Sequence, residues 1–436
     1  MQKILVLLSI FYLAFLSCKK EKAVSLQTDS SNLIKETKKD SIHPDFRINR
    51  LDSVSAINKT SSWYQTNKSF DRIFEVHNSL YWGFELRPNG ELIPYNRTTT
   101  ASWSPNKSYF WNDLGTYIYT DLTGDGLKDL WAYYWKNPWP TNAQGLHLFS
   151  EYEKDPKSYD LQVGLVQVRK NVLADLNNDQ KPELVLFSSG YDAPPFPGDA
   201  IGIFYVKEKE YQYLKQDIGY FHGGATGDIN NDGLIDIVAY SGGSMVIPVH
   251  PTAYLNRGNK QFALSNQIFK NFNTGDDNYY TVELFDMTKD GKLDLLLGGQ
   301  NKLLLIPQVN GEFNRNVAIS LPIETGLEIM DIAFFDFNRD GQTDILTISN
   351  KANYQGYGLR LFLNEKNVFK ESTGTYFDVT TFTGKNAWIK WIHLFDYDYD
   401  GDIDVVGDGL FGDLNGTNGR KIWWKNNGGK FFQINE

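Results

Sequence analysis

One cysteine, Cys18, stands among 436 residues, so no disulfide framework holds this chain together. Positive charge is also short: 43 Lys and Arg face 53 Asp and Glu, a net charge of −10. On that balance, nucleic-acid binding through phosphate neutralisation is excluded. The apolar run at the N-terminus, Ile4 to Leu16, is shorter than the roughly 20 residues that span a bilayer. Catalytic signatures are missing as well. The six histidines show neither His-x-x-x-His nor Glu-x-x-His spacing, which argues against a zinc hydrolase. There is no Gly-x-Ser-x-Gly elbow and no phosphate-cradling loop. What is present is ordinary for a folded protein: 41% hydrophobic and 22% charged residues, a mixture that excludes wholesale disorder.

The N-terminus reads as an export signal. Lys3 precedes the apolar run, which closes on Phe15-Leu16-Ser17-Cys18, the pattern of a secretory segment. It resembles a bacterial lipoprotein signal, which implies cleavage after Ser17, acylation of Cys18 and attachment to the outer membrane, with surface exposure one outcome. Acyl chains favour the membrane by about 0.8 kcal/mol per buried CH₂. From Cys18 to residue 46 the sequence is polar and rich in Lys, Ser and Asp, as expected of a flexible tether. The folded part is expected over residues 47–436.

Six copies of one nine-residue loop dominate that part. Positions 1, 3, 5, 7 and 9 are Asp121, Thr123, Asp125, Leu127 and Asp129 in the first copy, and Asp175, Asn177, Asp179, Lys181 and Glu183 in the second. Asp228, Asn230, Asp232, Leu234 and Asp236 form the third, and Asp286, Thr288, Asp290, Lys292 and Asp294 the fourth. The last two are Asp336, Asn338, Asp340, Gln342 and Asp344, then Asp396, Asp398, Asp400, Asp402 and Asp404. Their first residues lie 54, 53, 58, 50 and 60 apart, so they mark one repeated unit. Side-chain oxygens at positions 1, 3, 5 and 9 with a carbonyl at 7 suit a hard cation, Ca²⁺. Position 6 is Gly in five copies and Gln180 in the second; a sharp turn there calls for positive φ. Six equivalent ions read as structural, because a catalytic metal occupies one distinctive site with an open position.

An EF-hand would need a bidentate Glu at position 12, where this chain has Ala132, Leu186, Ala239, Leu297, Thr347 and Gly407. Short apolar runs follow the loops instead, such as Leu184 to Phe187 and Ile345 to Ile348, and these predict strands buried on both faces. Further on, Tyr254 to Phe262, Leu305 to Phe313, Leu361 to Phe369 and Trp423 to Phe431 each read as strand, Asn/Gly turn and aromatic, a hairpin signature. One repeat is therefore a four-stranded sheet, and such sheets arranged radially make a β-propeller. From about Thr116 to Glu436 the chain resembles the FG-GAP/VCBS repeat family, whose propeller blades carry these calcium loops. The expected fold is all-β: seven blades with a degenerate first one around the hairpin Leu80 to Tyr95, or six blades with an N-terminal cap.

A rigid propeller of this kind predicts a binding or adhesion module for glycan or envelope protein. A lyase-like polysaccharide-processing enzyme and a structural subunit of an envelope complex are the alternatives. Trp135 and Trp139 flank a proline-containing loop, where indole rings stack on sugars or anchor partners, or simply fill space between blades. His222, in Phe221-His222-Gly223-Gly224, resembles the lead-in to a family blade, which implies a position near the central channel. The acidity also acquires an address. Removing Lys3 with the signal leaves −11, the six loops hold 19 carboxylates in ligand positions, and six Ca²⁺ would bring the loaded chain to about +1.

Overall fold

The computed structural model describes the strands between residues 82 and 163 with Leu122 and Thr123, and residues 164–435 without 180, 192–193, 244–246, 273–277, 353–354, 385–388, 390, 396–399, 401 and 409–421. Cys18, the tether, Trp135 and Trp139 lie outside the described residues. Alternating and doubly apolar runs give sheets and almost no helix: the described residues hold one four-residue helical turn, Thr373–Tyr376, and two 3₁₀ turns. Among them no helix is long and apolar enough to cross a membrane.

Six antiparallel sheets follow one another along the chain, five of four strands and one of five. Their first strands are β1 (Leu114–Thr120), β2 (Val168–Ala174), β3 (Phe221–Gly227), β4 (Tyr279–Phe285), β5 (Leu327–Phe335) and β6 (Trp391–Phe395). In every sheet the first four strands pair in chain order outward from this first one, and in the five-stranded sheet the fifth, Thr381–Thr383, pairs beside the third. Each first strand also packs beside the next, β1 against β2 and so on to β6, so the inner edges stand side by side as in a propeller. The hairpin expected near residue 80 forms between Trp82–Leu86 and Leu92–Asn96, and Ser108–Phe110 adds a third strand to it.

Second strands behave as their sequences predict. Glu183–Ser188, Asp236–Ser241 and Asp294–Gly299 are buried at every position. Sheet faces close on each other through clusters such as Val172, Phe187, Phe221, Ile237 and Tyr254. Space between inner strands is scarce: a Cβ on Gly223 would lie 2.8 Å from the Tyr280 carbonyl oxygen, so β3 and β4 approach to a distance that only glycine permits.

The outer hairpins also form, with one difference. The hairpin that Phe313 opens forms between Gln308–Val309 and Glu312–Asn314 across Asn310 and Gly311, while Lys302–Ile306 pairs with Ile319–Pro322 instead of with it. Glu312–Asn314 joins a small sheet with Phe269–Lys270, because Phe313 is buried in a stack on Phe269, ring centroids 5.9 Å apart.

A polar clasp links the outer strand Glu210–Gly219 to the neighbouring sheet. Asp217 accepts from His250 Nε2 at 3.1 Å, Thr252 Oγ1 at 2.7 Å and Asn266 Nδ2 at 3.0 Å. Burial opposes both charges, but these hydrogen bonds hold the Asp217 carboxyl below 3.8, and Asp217 with the Pro248 carbonyl raises His250 above 6.5. A lowered acid stabilises the fold above its unfolded pKa, and a raised histidine does so below its own. The clasp therefore contributes most between those two values and fades as pH rises through the folded His250 pKa. His250→Gln is expected to lower the melting temperature more at about pH 5 than at about pH 9; an equal loss at both would contradict the clasp.

Candidate functional site

Four loops, the second to the fifth, are described at nearly every position, and they share one hydrogen-bonded turn. In the third loop Asp228 Oδ1 and Asn230 Oδ1 both accept from the Asp232 amide, at 3.1 and 2.9 Å. Asp228 Oδ2 accepts from Gly233 N at 2.9 Å, and Asp232 Oδ1 from Leu234 N at 2.9 Å. The second loop repeats the pattern through Asp175, Asn177 and Asp179, the fourth through Asp286 and Asp290, and the fifth through Asp336, Asn338 and Asp340. Short Asx side chains turn back on local amides in this way because they compete with regular backbone pairing.

Position 6 has the expected backbone: Gly233, Gly291 and Gly341 have φ of 85°, 81° and 82°, with no atom within 4 Å of an added Cβ. Glycine is there for its dihedral, not for space. Gln180 lies outside the described residues, as do Asp121, Asp125, Leu127, Asp396 and Asp398; Asp129 is described only as part of a strand. The sequence reading missed position 4, which is also left-handed: Asn178, Asn231, Lys289 and Arg339 have φ of 57–60°. Asparagine at two of these positions was a signal, since it tolerates that region.

Position 9 has a further role. Asp236 is fully buried; its Oδ2 accepts from Ile229 N within the loop at 3.1 Å, and its Oδ1 from Asn256 N on the third strand at 2.8 Å. Asp294 binds Thr288 N and Gln308 N in the same way, and Asp344 binds Phe337 N and Asn364 N. The residue that donates this second amide, on the third strand or, for Gln308, two residues past it, then reaches back to the preceding loop, where Leu176 O accepts from Asn256 Nδ2 at 2.8 Å and Ile229 O from Gln308 Nε2 at 2.9 Å. Asn364 reaches Met287 O at 3.4 Å, whereas Asn426, on the last sheet, bonds Ile403 O of its own. Cationic side chains also link neighbouring loops: Lys181 Nζ donates to Thr123 O at 2.9 Å, and Lys289 Nζ to Gly341 O.

Burial, with added repulsion from the Asp residues at positions 1 and 5, lifts the position 9 carboxyls. Glu183 is pushed up to about 8, Asp236 and Asp344 to about 7 and Asp294 to about 6. Among the described residues no three His, Cys, Asp or Glu side chains are gathered as a ready metal cage. The donor chemistry nonetheless fits a hard cation: the repeated side chains offer oxygen ligands, and clustered carboxylates leave negative charge to be compensated.

The other end of the inner strands carries a second repeated feature. In β1 to β5 the pairing register slips by one residue near the strand start. The extra residue is Gly115, Arg169, His222, Tyr280 or Met330, in every case six positions before the first Asp of its loop. Six residues at about 3.3 Å each place this bulge row about 20 Å from the loops. A bulge frees its residue from the ladder and re-aims the side chain. His222 thereby meets Tyr220 and Tyr280, ring centroids 4.9 and 5.4 Å apart. Arg169, whose Nε donates to Ser189 Oγ at 3.3 Å, is near enough to act on both His222 and Tyr280. Burial and then this cation hold His222 well below 6.5, so its ring is neutral. Burial and Glu328 push Tyr280 up to about 12 despite Arg169 and Asn278, so its phenol keeps the proton.

Beneath the row lies a buried charge group. Lys170 Nζ pairs with Glu283, and donates to Val282 O at 3.1 Å. Asp331, also buried, accepts from Ile392 N at 2.9 Å. Burial raises its pKa well above 3.8, Lys170 opposing and Glu283 reinforcing, so one lysine serves two carboxyls. The loop Tyr191 to Gly198 closes on itself through Tyr191 N to Pro197 O at 3.0 Å.

Residues 228–297 and 286–347 match the FG-GAP-like repeat family. Among curated proteins no sequence matches the chain. Similar solved structures include an Agrocybe aegerita lectin described for specific recognition of non-reducing terminal N-acetylglucosamine, at 15% identity and TM-score 0.41, over 81% of this chain and 89% of that one. A candidate 6-phosphogluconolactonase of Bacteroides uniformis is 12% identical with TM-score 0.46, over 82% and 94%. The V. cholerae biofilm matrix protein Bap1 is 12% identical with TM-score 0.36, over 72% and 63%.

Asn256→Ala would leave the buried Leu176 carbonyl and Gly258 amide without their side-chain partner. Each unmet buried group costs about 1–3 kcal/mol, so a loss of roughly 2–4 kcal/mol is expected in urea unfolding. A change below about 0.5 kcal/mol, the usual size for an ordinary surface substitution, would deny the tie between loops.

Proposed function

For a chain that carries FG-GAP-like repeats on a β-propeller fold, we propose a calcium-rigidified binding module, lipid-anchored through Cys18 to the bacterial outer membrane, that takes a glycan or an envelope protein. The β1-side hairpin sheet serves as the degenerate first of seven blades. The separation of the two sequence-distant features carries this reading: hydrogen-bonded acidic turns recur at one end of the inner strands, and polar and aromatic side chains converge at the other. Such a layout assigns rigidity to one end and recognition to the other.

Within each loop the side chains of positions 1, 3, 5 and 9 and the position 7 carbonyl are the residues that would hold Ca²⁺. The ion supplies compensating positive charge and cross-links the turn. The protein supplies the turn itself, through the left-handed residues at positions 4 and 6 and the buried tie at position 9. A polysaccharide-processing enzyme is the second reading, favoured by His222, Tyr280 and Arg169 standing together. A phenol with a pKa of about 12 is a poor ground-state base at neutral pH, which puts binding ahead of cleavage.

Removing calcium tests the first part. A loop filled at a hundredfold excess over its Kd contributes about 2.7 kcal/mol. With several loops, chelation is expected to lower the melting temperature by about 10 °C or more. Ca²⁺ should restore it where Mg²⁺ does not, and an unchanged melt removes calcium from the account. Incubation with uronide polysaccharides is expected to yield no unsaturated product; product that vanishes in His222→Ala would put the enzyme reading first.

A further inference from the structure

We propose that Arg169, His222 and Tyr280 on β2, β3 and β4 form a subsite for a carboxylate-bearing sugar, a uronic acid residue within a longer glycan. This rests on the binding-module reading and names its ligand class. The residues stand 53 and 58 apart in sequence; bulges at the same position of three consecutive inner strands bring His222 and Tyr280 into ring contact with Arg169 in electrostatic reach of both. A bulge gives up ladder pairing, and packing alone does not require polar residues there. The flanking strands β1 and β5 carry Gly115 and Met330 at this position. The polar set is thus a patch on one side of the row rather than a full ring.

Each member suits one part of such a ligand. A guanidinium fork matches the geometry of a carboxylate. Tyr220, His222 and Tyr280 supply aromatic surface, and Tyr280 keeps a phenol hydrogen to donate. His222 Nδ1 is buried without a hydrogen-bond partner among the described residues. It faces Gly242, where an added Cβ would stand 3.4 Å from it, with Tyr220 O and Asn278 Oδ1 as the next neighbours. An orphaned buried polar atom is uncommon and calls for a partner, and a sugar hydroxyl would provide one. Glu328 and Asn278, both near enough to act on Tyr280, add acceptors for hydroxyls. A phosphate dianion suits the patch less well, because Glu328 opposes the second negative charge.

Calorimetric titration of the full calcium-loaded chain tests the subsite with oligogalacturonate, oligomannuronate and oligoglucuronate as probes. The methyl ester of each keeps the ring and its hydroxyls but not the charge. At least one acid form is expected to bind, about tenfold or more tighter than its ester, and Arg169→Gln should remove that difference. Arg169→Lys should restore part of it, and unchanged melting temperatures show that both variants fold. Equal binding of acid and ester, or acid binding indifferent to Arg169→Gln, overturns the proposal. If none of the three acids binds while neutral oligosaccharides do, the subsite falls and the binding module stands. If no glycan of either kind binds, the subsite and the glycan arm of that reading fall together.

Discussion

A buried carboxyl closes each described loop, and the rest of the architecture depends on it. Asp236, Asp294 and Asp344 each accept one amide from the loop and a second from further along the chain, on the third strand of the same sheet for Asp236 and Asp344 and at Gln308, just past that strand, for Asp294. A buried polar group without partners costs several kcal/mol, so loop and strand must arrive together. The strand residue that donates this amide then reaches with its own side chain to a carbonyl in the preceding loop. Turn, sheet and sheet-to-sheet spacing therefore form one hydrogen-bonded series rather than three separate features.

This constraint leaves the two ends of the inner strands free for different work. At one end backbone amides and Asx oxygens satisfy one another within each turn. At the other end the ladder slips by a residue, and side chains that a regular strand would send to opposite faces come together instead. The Lys170, Glu283 and Asp331 group lies between, where one lysine serves two carboxyls. A binding face held by tightly packed strands suffers little loss of conformational entropy when a ligand arrives, which is the advantage of a preorganised site.

Much of this was legible before any coordinates. The loops recur at similar intervals, so the repeat and its turn chemistry, including positive φ at Gly233, Gly291 and Gly341, could be read directly. The doubly apolar runs predicted second strands buried on both faces. Other features could not be read. Lys289 and Arg339 carry no local preference for the left-handed region; the loop imposes it. The ties made by Asn256 and Gln308 are among those unread features, because their partners lie 80 and 79 residues away. Phe313 opens its hairpin strand as the sequence suggests, but the parallel pairing of that strand with Phe269–Lys270, 44 residues back, was not legible.

By itself the sequence determined the unit and its chemistry: acidic nine-residue loops, short strands, Asn/Gly hairpins and an inventory of oxygen donors. These follow from local rules of dihedral preference, period and charge, which act within a few residues. Only the tertiary structure decided which distant residues meet. Arg169, His222 and Tyr280 share no motif, and nothing in their neighbours marks a bulge, since a register slip depends on how two strands pair rather than on either alone. The gathering of a cation, a neutral imidazole and a phenol at one end is a property of adjacent sheets, where packing between strands brings together what the chain keeps more than fifty residues apart.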